Sequence, residues 1–488
     1  MATQTAVAPD PAITVDARTA SGSVRTVLGT QFVWPGGLST AAARTRFDAL
    51  SPPVVRINAT TVGVPALPLV LPAGLTRGDW DFRNLDSIVH DVRLEGGQVL
   101  LTIAYAPQWM WSCPAGAIRD PTFGEFADYM ARLVSYYNRG SFVAEDGTTI
   151  VNPSATENRI TSWELWNEPD QPTMGCPPAG NPNISAREYL TMWNAASARM
   201  LAIDPSIRLV GPATSAAITL RVPDYLPTLL AGAVHRPDVV SFHAYGGWKN
   251  SQTDQFLFDG QGGCCGLVGM LRGLAQIRAW APGIPVWITE LNVNSAYDAD
   301  DPAGRPWSAL SVAWGASAFR QLAVAGVDAV LEYAFVHPRL RQFSLVDSKS
   351  GDPFLPYWRD FYLGRYFPAG SEILPATSPV DDVEVLAARP PGSRSINVLL
   401  INRRVDPGVV GGPGMPVTVR ISLAADDTPE RGTLRVIDAN TPLASGPAST
   451  EVTIDREMAV TLPGYGVALL EFGSGSARSG RDAAVASR

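Results

Sequence analysis

Eight short runs rich in β-branched and aromatic residues recur between residues 24 and 335 of this chain, with helix-like segments between them. A run of roughly four to eight such residues is typical of a buried strand, and helices between successive strands are typical of βα units around a parallel sheet. The runs are Val24–Trp34, Val54–Asn58, Val99–Tyr105, Ile160–Asn167, Arg208–Ala213, Val239–Tyr245, Pro285–Asn292 and Asp328–Phe335. Eight strands that alternate with helices predict an α/β fold, a closed (β/α)8 (TIM) barrel over residues 18–367.

Four segments between these runs have apolar residues at intervals of three and four, which place one apolar stripe along a helix. They are Thr122–Tyr137, Ala186–Ile203, Leu267–Ala281 and Ser308–Ala325. Each follows a predicted strand, so we expect them on the outside of the barrel.

The pattern changes after residue 367 to short alternating runs separated by Gly, Pro, Asn and Asp, which predicts an antiparallel β-sandwich over residues 368–473. The runs are Val383–Ala387, Ile396–Asn402, Val417–Ser422, Thr433–Asp438, Met458–Leu462 and Val467–Phe472. An early run, Ile13–Asp16 within residues 1–17, is expected to join the sandwich as an edge strand. Residues 474–488, rich in Ser, Gly, Ala and Arg, are expected to form a disordered tail.

Charge and hydropathy exclude several classes of partner. The 488 residues carry a formal net charge of −8 and no run of Lys and Arg, so no nucleic-acid partner is expected. The chain lacks a stretch of the ~18 to 20 apolar residues that a membrane span needs, and its first residues do not resemble an export signal. No pattern in the sequence implies a cofactor.

The four cysteines have no metal-ligand spacing, and no metal site is expected. They are Cys113, Cys176, Cys264 and Cys265. They are either free thiols or disulfides, with Cys113 and Cys176 as one candidate pair and the adjacent Cys264 and Cys265 as another. Disulfides would favour an extracytoplasmic location, whereas the missing signal favours the cytoplasm. Three loop aspartates are expected to be a solvated cluster rather than a cation site, and they are Asp298, Asp300 and Asp301.

Polar residues at the carboxyl ends of the predicted strands are the candidates for chemistry, because barrels of this kind build their sites there. Glu168 lies in the stretch WELWNEP after the fourth run, and Glu290 lies in WITELN at the end of the seventh. A single glutamate at a strand end is more often a surface or ion-paired residue. Two at facing strand ends fit displacement at an anomeric carbon, in which one carboxyl protonates the leaving oxygen and the other attacks.

The NEP stretch around Glu168 resembles the acid/base signature of the clan A glycoside hydrolases, and the TE stretch at Glu290 resembles their nucleophile segment. The resemblance implies a barrel, with Glu168 as the acid/base and Glu290 as the nucleophile. Arg56, His243 and Tyr245 fall where the clan places residues that orient and hydrogen-bond the nucleophile.

Within the clan, the stretch ELWNEP at residues 164–169 favours family 39, while families 79 and 51 share the same domain layout. The LPGYGV strand at residues 462–467 and the run Ile13–Asp16 are similar to the accessory sandwich of family 39, so the resemblance spans nearly the whole chain. Asp170 stands where many family 39 members carry Asn.

Further residues near the strand ends are candidates for binding substrate. Asn167 is expected to hydrogen-bond a sugar 2-hydroxyl, with a strand-end turn residue as the alternative. His337 either reaches the same site or closes its own loop. Five aromatic residues are expected to be either sugar platforms or packed core residues, and they are Trp34, Tyr105, Trp109, Trp111 and Trp248.

The sequence therefore predicts a retaining glycosidase that acts on an oligosaccharide, polysaccharide or glycoconjugate by double displacement. Retention requires the two carboxyl groups to lie about 5 to 5.5 Å apart, and inversion about 6.5 to 9.5 Å. A transglycosylase that uses the same two glutamates is one alternative. A carbohydrate-binding barrel without activity is another, because a fold alone does not establish catalysis.

Overall fold

Eight parallel strands close into a barrel in the computed structural model, which describes residues 12–32, 35–59, 77–112, 117–171, 184–216, 224–260, 265–297, 299–337, 339–425, 431–454 and 457–473. The strands are β1 (Val27–Phe32), β2 (Val54–Ala59), β3 (Gln98–Ile103), β4 (Ser162–Leu165), β5 (Arg208–Thr214), β6 (Val239–Tyr245), β7 (Val286–Asn292) and β8 (Ala329–Val336). Each predicted run contains or overlaps one of these strands. The predicted (β/α)8 barrel is confirmed.

The four predicted helices are present, with five others in the described residues. The helices are α1 (Ala41–Leu50), α2 (Arg83–Leu94), α3 (Gly124–Arg139), α4 (Ala186–Ile203), α5 (Tyr225–Gly232), α6 (Asp254–Asp259), α7 (Gly266–Trp280), α8 (Ala309–Val324) and α9 (Leu355–Tyr366). A capping box begins α4, because Ser185 accepts the N–H of Glu188 and the Glu188 carboxylate accepts the N–H of Ser185. None of the described helices is long and apolar enough to cross a membrane.

Two further sheets form the predicted sandwich. One sheet has the strand order Ala376–Thr377, Ala12–Asp16, Val417–Ala424 and Glu457–Leu462. The other has the order Gly22–Ser23, Glu372–Leu374, Val383–Arg389, Ile396–Asn402, Val467–Phe472, Arg431–Ile437 and Thr450–Thr453. Two small hairpins pair Trp111–Ser112 with Ala117–Ile118 and Ser141–Val143 with Thr149–Val151.

The strand at residues 12–16 does not lie at a sheet edge, so that part of the prediction is wrong. It pairs in parallel with residues 417–424 on one side and antiparallel with residues 376–377 on the other. Ile13 and Val15 are 0% and 1% exposed in the sandwich core. Alternate side chains of this strand therefore pack in the sandwich core, as on one face of a strand.

A buried aspartate joins the sandwich to the loop that follows β6. Asp254 accepts the backbone N–H groups of Gly411 and Gly412 at 2.8 and 2.9 Å, and the hydroxyl of Tyr465 at 3.2 Å. Arg305 lies 3.3 Å from the same carboxylate, and both side chains are at most 1% exposed. Because these partners come from both domains, the contact holds the sandwich against the barrel loops.

Gly315 in α8 leaves room for a buried arginine from α9. A Cβ at Gly315 would lie 2.0 Å from Nη1 of Arg359, whose guanidinium is held by Glu332 at 2.9 Å and Asp360 at 2.6 Å. We expect Gly315→Ala to lower the free energy of unfolding by about 1 to 3 kcal/mol, because the added methyl group would displace the buried Arg359 side chain from its ion pairs. Denaturant unfolding of the variant and the wild type measures this difference in free energy.

Gly364→Ala is the matched control, since Gly364 lies in α9 and a Cβ there meets nothing within 4 Å. That variant should gain about 0.5 to 1 kcal/mol from the lower entropy of the unfolded chain. Equal midpoints for the two variants would contradict the packing role of Gly315.

Candidate active site

The interior of the barrel changes from apolar to polar toward the carboxyl ends of its strands. Apolar side chains fill the amino-terminal end, and they are Val54, Leu100, Val210, Val239, Trp287, Ala329 and Leu331. Two residues further along three of these strands lie Arg56, Thr102 and Ser241, each 0% exposed. Because side chains two apart on a strand share a face, a polar layer lies directly above the apolar one.

Arg56 is the centre of the polar layer. Its Nε donates to Glu164 at 2.6 Å and its Nη1 donates to Glu290 at 2.7 Å. Its Nη1 also donates to Gln31 at 2.9 Å, and its Nη2 donates to Asn167 at 2.7 Å. Burial opposes ionisation of Glu164, but the charge of Arg56 lowers the pKa of that carboxyl. One buried cation therefore stabilises two buried carboxylates.

Replacing Arg56 by Met is expected to cost about 3 to 5 kcal/mol of unfolding free energy, because Glu164 would be left as an unpaired buried charge. The exposed ion pair of Arg44 and Asp91, at 2.9 Å, supplies the matched control. Arg44→Met should cost less than about 1 kcal/mol. Denaturant unfolding of both variants measures the difference, and equal losses would contradict the role given to Arg56.

A turn of unusual backbone conformation follows β4 and carries Glu168. Trp166 and Glu168 adopt left-handed φ angles of 74° and 45°, which are uncommon for residues other than glycine. Backbone hydrogen bonds hold the turn, from Asn167 to the carbonyl of Ala104 and from Glu168 to that of Ala213, both at 2.9 Å. Such conformations cost of order 1 to 3 kcal/mol each and persist where surrounding structure imposes them.

The two candidate carboxylates lie beside each other, with a histidine in contact with both. Nδ1 of His243 is 2.7 Å from Oε1 of Glu168 and 3.3 Å from Oε2 of Glu290. Side-chain ligand atoms of the three residues all lie within 4.8 Å of one another. Burial lowers the pKa of His243 below its usual value, so the imidazole is neutral near pH 7.

Glu290 accepts two strong hydrogen bonds, one on each oxygen. Arg56 donates to Oε1 at 2.7 Å, and the hydroxyl of Tyr245 donates to Oε2 at 2.5 Å. Burial and the neighbouring Glu290 charge raise the pKa of Tyr245 well above its usual value, so that hydroxyl keeps its proton. Both oxygens of Glu290 are thus held in place by donors from other strands.

Glu168 has the opposite environment. Burial of the carboxyl group and the negative charge of Asp170 raise the pKa of Glu168 to about 8, and Arg56 opposes this shift. Two adjacent carboxyls with different environments can hold one proton between them, on Glu168, near neutral pH.

The fold matches those of several solved enzymes. The structure of a GH39 enzyme from Xanthomonas axonopodis pv. citri matches with a TM-score of 0.66 and 17% identity, over 96% of this chain and 98% of that one. A monomeric β-xylosidase from Caulobacter crescentus CB15 matches with a TM-score of 0.65 and 19% identity, over 94% of this chain and 99% of that one. AbfB, a family 51 α-L-arabinofuranosidase from Bifidobacterium longum, matches with a TM-score of 0.63 and 15% identity, over 95% of this chain and 100% of that one.

The chain has the fold of these glycoside hydrolases. The resemblance to clan A inferred from the NEP and TE stretches is thus confirmed at the level of the fold. No protein-family model and no curated protein sequence matches the chain.

Two residues outside the predicted set, Tyr333 and Glu164, also belong to this site, Tyr333 near the candidate carboxylates and Glu164 through Arg56. Tyr333 on β8 is 9% exposed, its ring lies 6.5 Å from that of Tyr245, and burial together with nearby Glu290 and Glu168 raises its pKa. Glu164 was noted only as part of a motif. The sequence places Tyr333 on the last predicted strand, and this was the only signal that could have found it. Because every residue of that strand is buried, the sequence pattern does not show which side chains point inward.

The other predicted binding residues have different surroundings. The Tyr105 side chain is hydrogen-bonded to Asn167 at the edge of the site. Trp248 is 46% exposed in the loop after β6. The guanidinium groups of Arg77 and Arg119 cover the Trp109 ring at 5.7 and 5.9 Å.

His337 is buried and organises its own loop, because its Nδ1 accepts the N–H of Leu340 at 3.0 Å. Trp111 is also buried, and its indole donates to the carbonyl of Ala106 at 3.1 Å. Trp34 lies outside the described residues.

Asp301 is not solvated as expected, because it is 2% exposed and accepts from Arg305 at 2.7 Å. Asp300 accepts the N–H of Gln342 at 3.2 Å, and Asp298 lies outside the described residues. Cys265 is disulfide-bonded. The other three cysteines, Cys113, Cys176 and Cys264, lie outside the described residues, so the proposed pairing of Cys113 with Cys176 stays a prediction.

Proposed function

We propose that this protein is a retaining glycoside hydrolase in which Glu168 is the acid/base and Glu290 is the nucleophile. The observation that carries the proposal is the closeness of the two carboxyl groups, since one oxygen of Glu168, in the turn after β4, lies within 4.8 Å of one oxygen of Glu290 on β7. Retaining enzymes hold the two carboxyls about 5 to 5.5 Å apart, because the nucleophile must reach the anomeric carbon directly. Oxygens this close favour direct attack over the longer separation that accommodates a water molecule.

In the first step, the Glu290 carboxylate attacks the anomeric carbon while Glu168 gives its proton to the departing glycosidic oxygen. Arg56 and Tyr245 orient the attacking carboxylate through their 2.7 and 2.5 Å hydrogen bonds. The bond from Glu290 to the sugar forms as the bond to the leaving oxygen breaks. The leaving group departs neutral, so no charge is released into the buried site.

In the second step, Glu168 has lost its proton and acts as a base toward water. The water attacks the anomeric carbon, Glu290 leaves as a carboxylate, and Glu168 recovers the proton. Ester formation removes the charge of Glu290, which lowers the repulsion on the newly ionised Glu168. Two displacements at one carbon retain its configuration.

The proposed substrates are carbohydrates, since solved structures with this fold include xylanases, a β-xylosidase and an α-L-arabinofuranosidase. The ELWNEP stretch makes family 39 our choice within the clan. Aryl xylosides and arabinosides are therefore the first substrates to test, followed by glucosides, galactosides and glucuronides. Natural oligosaccharides and polysaccharides come after the sugar is known.

Proton NMR of the first-formed product tests the proposal. The anomer released from a cleaved aryl glycoside should have the configuration of the substrate before mutarotation begins. A product of inverted configuration would contradict the assignment of Glu290 as a nucleophile. Product analysis with an added acceptor sugar separates hydrolysis from transglycosylation, and cleavage of no glycoside at all would favour a binding barrel.

The same three side chains, Glu168, His243 and Glu290, also have the spacing of a metal site. Arg56 argues against that use, because its guanidinium already bonds to Glu290 and would repel a cation placed beside it. We therefore assign the cluster to acid/base and nucleophilic chemistry, without a metal or cofactor.

A further inference from the structure

Asp170 is a buried carboxylate that the two-glutamate mechanism does not use. It is 2% exposed, and Ser215 donates its backbone N–H to Oδ1 at 2.9 Å and its hydroxyl to Oδ2. Among the residues that the structure describes, no cation forms an ion pair with it. Burying a carboxylate without a cation costs free energy even when the carboxylate is hydrogen-bonded. This cost suggests that Asp170 has a function at this position.

Asp170 belongs to the same turn as Glu168. The N–H of Gln171 donates to the carbonyl of Glu168 at 2.9 Å, which closes the turn around Asp170. Glu168 bonds to Ala213 at the end of β5, and Asp170 bonds to Ser215 two residues further on. The segment after β5 therefore fixes the position of Asp170 relative to Glu168.

Carboxyl groups outnumber cations around Glu168. The described titratable groups that face this part of the site are Arg56 on β2, Tyr105 after β3, Glu164 on β4, Asp170 in the turn, His243 and Tyr245 on β6, Glu290 on β7 and Tyr333 on β8. The tyrosines and the buried histidine are neutral near pH 7. Arg56 is then the one cation among these groups, and its contacts are with Glu164 and Glu290.

We propose that Asp170 acts through Glu168, as a fixed negative charge that holds the proton on the acid until the leaving oxygen takes it. Asp170 is a positioning residue in this role, because it acts through Glu168 and its own hydrogen bonds are to Ser215. The inference rests on the acid/base function proposed above for Glu168. The direction agrees with the raised pKa of Glu168, to which burial contributes most and Asp170 next.

The consequence is a wider range of pH in which Glu168 can act as an acid. An acid with a raised pKa holds its proton up to higher pH and loses it as the pH rises through that value. Asn in place of Asp170 keeps the shape and can still accept from and donate to Ser215, but it carries no charge. Asp170→Asn therefore removes the charge while it keeps the hydrogen bonds that hold the turn.

The experiment measures kcat/KM against pH for the wild type and Asp170→Asn on a glycoside with a poor leaving group, identified in the substrate screen. We expect the alkaline limb of Asp170→Asn to move down by about one pH unit, since a neighbouring like charge shifts a carboxyl by this order. The rate at pH 9 should then fall roughly tenfold relative to the wild type. Asp170→Glu, which keeps the charge, should keep the limb near its original position.

Two controls separate charge from structure. Asp381→Asn removes an exposed charge from the sandwich and should leave the profile unchanged. An activated aryl glycoside, which departs without protonation, should show little loss from Asp170→Asn at pH 9, whereas a misplaced turn would slow both substrates. If Asp170→Asn does not fold, Asp170→Ser supplies the neutral side chain.

A titration without turnover distinguishes failure of this inference from failure of the proposed function. The carboxyl ¹³C resonance that disappears in Glu168→Gln identifies Glu168, and it should titrate at lower pH in the neutral Asp170 variant. An unchanged titration and an unchanged alkaline limb would overturn the inference. If the wild type cleaved no glycoside, the proposed function would fail, and the ¹³C titration would still decide whether Asp170 raises the pH at which Glu168 loses its proton.

Discussion

Glu290→Gln should reduce the hydrolysis of every glycoside substrate by at least about 10⁴-fold, because an amide cannot form the glycosyl-enzyme intermediate. The fold should survive, since the amide oxygen can still accept from Arg56, which donates to Glu290 at 2.7 Å in the native protein. Steady-state rates on the substrates found in the screen measure the loss. Burst kinetics should show no release of aglycone in the first turnover.

Glu451→Gln is a suitable control, because Glu451 is exposed on a sandwich strand and the change of side chain is the same. It should retain wild-type rates. A Glu290→Gln enzyme that kept more than a small fraction of its activity would show that another group attacks the sugar.

Glu168→Ala is expected to lose activity only on some substrates, unlike Glu290→Gln, because an acid is needed only when the leaving group is poor. We expect a loss of about 10² to 10⁴-fold on alkyl glycosides, which is the usual contribution of general acid catalysis. Activated aryl glycosides should still form the intermediate on Glu290, because their leaving groups depart without a proton. The enzyme should then accumulate in the glycosylated state, with a burst of aglycone equal to the enzyme concentration.

Azide supplies the test of this assignment. It attacks the anomeric carbon without help from a base, so it should restore turnover of Glu168→Ala and produce a glycosyl azide of retained configuration. The wild type should be insensitive to azide on the same substrate. If azide instead restored Glu290→Gln with an inverted product, the roles of the two glutamates would have to be exchanged.

The barrel could be predicted from the sequence because its signals are local. A buried parallel strand reads as a short apolar run and a helix as a stripe of period 3.6, whatever lies elsewhere in the chain. The N-terminal strand shows the limit of such signals. The run Ile13–Asp16 predicted a strand of the sandwich. Its neighbours on both sides are more than 360 residues away, and their pairing places it inside the sheet.

The direction of Glu290 is a second case that local pattern could not settle. Strict alternation from Trp287, which packs in the apolar layer of the barrel, would turn Glu290 to the opposite face. The pairing of β6 with β7 instead skips one residue at Thr289, so that Glu290 lies opposite His243. An irregularity of this kind re-aims a side chain, and it is visible only in the register between two strands.

The sequence by itself determined where the strands lie along the chain and which two glutamates follow or end them. Both can be recognised from short stretches of consecutive residues. Tertiary structure decided which charges meet. Arg56 contacts Glu164 and Glu290, which are 108 and 234 positions away in the chain. The different environments of Glu168 and Glu290 also depend on closure of the barrel. Burial and the charges of Arg56 and Asp170 set where a proton resides, and of these only Asp170 is a neighbour of Glu168 in the sequence.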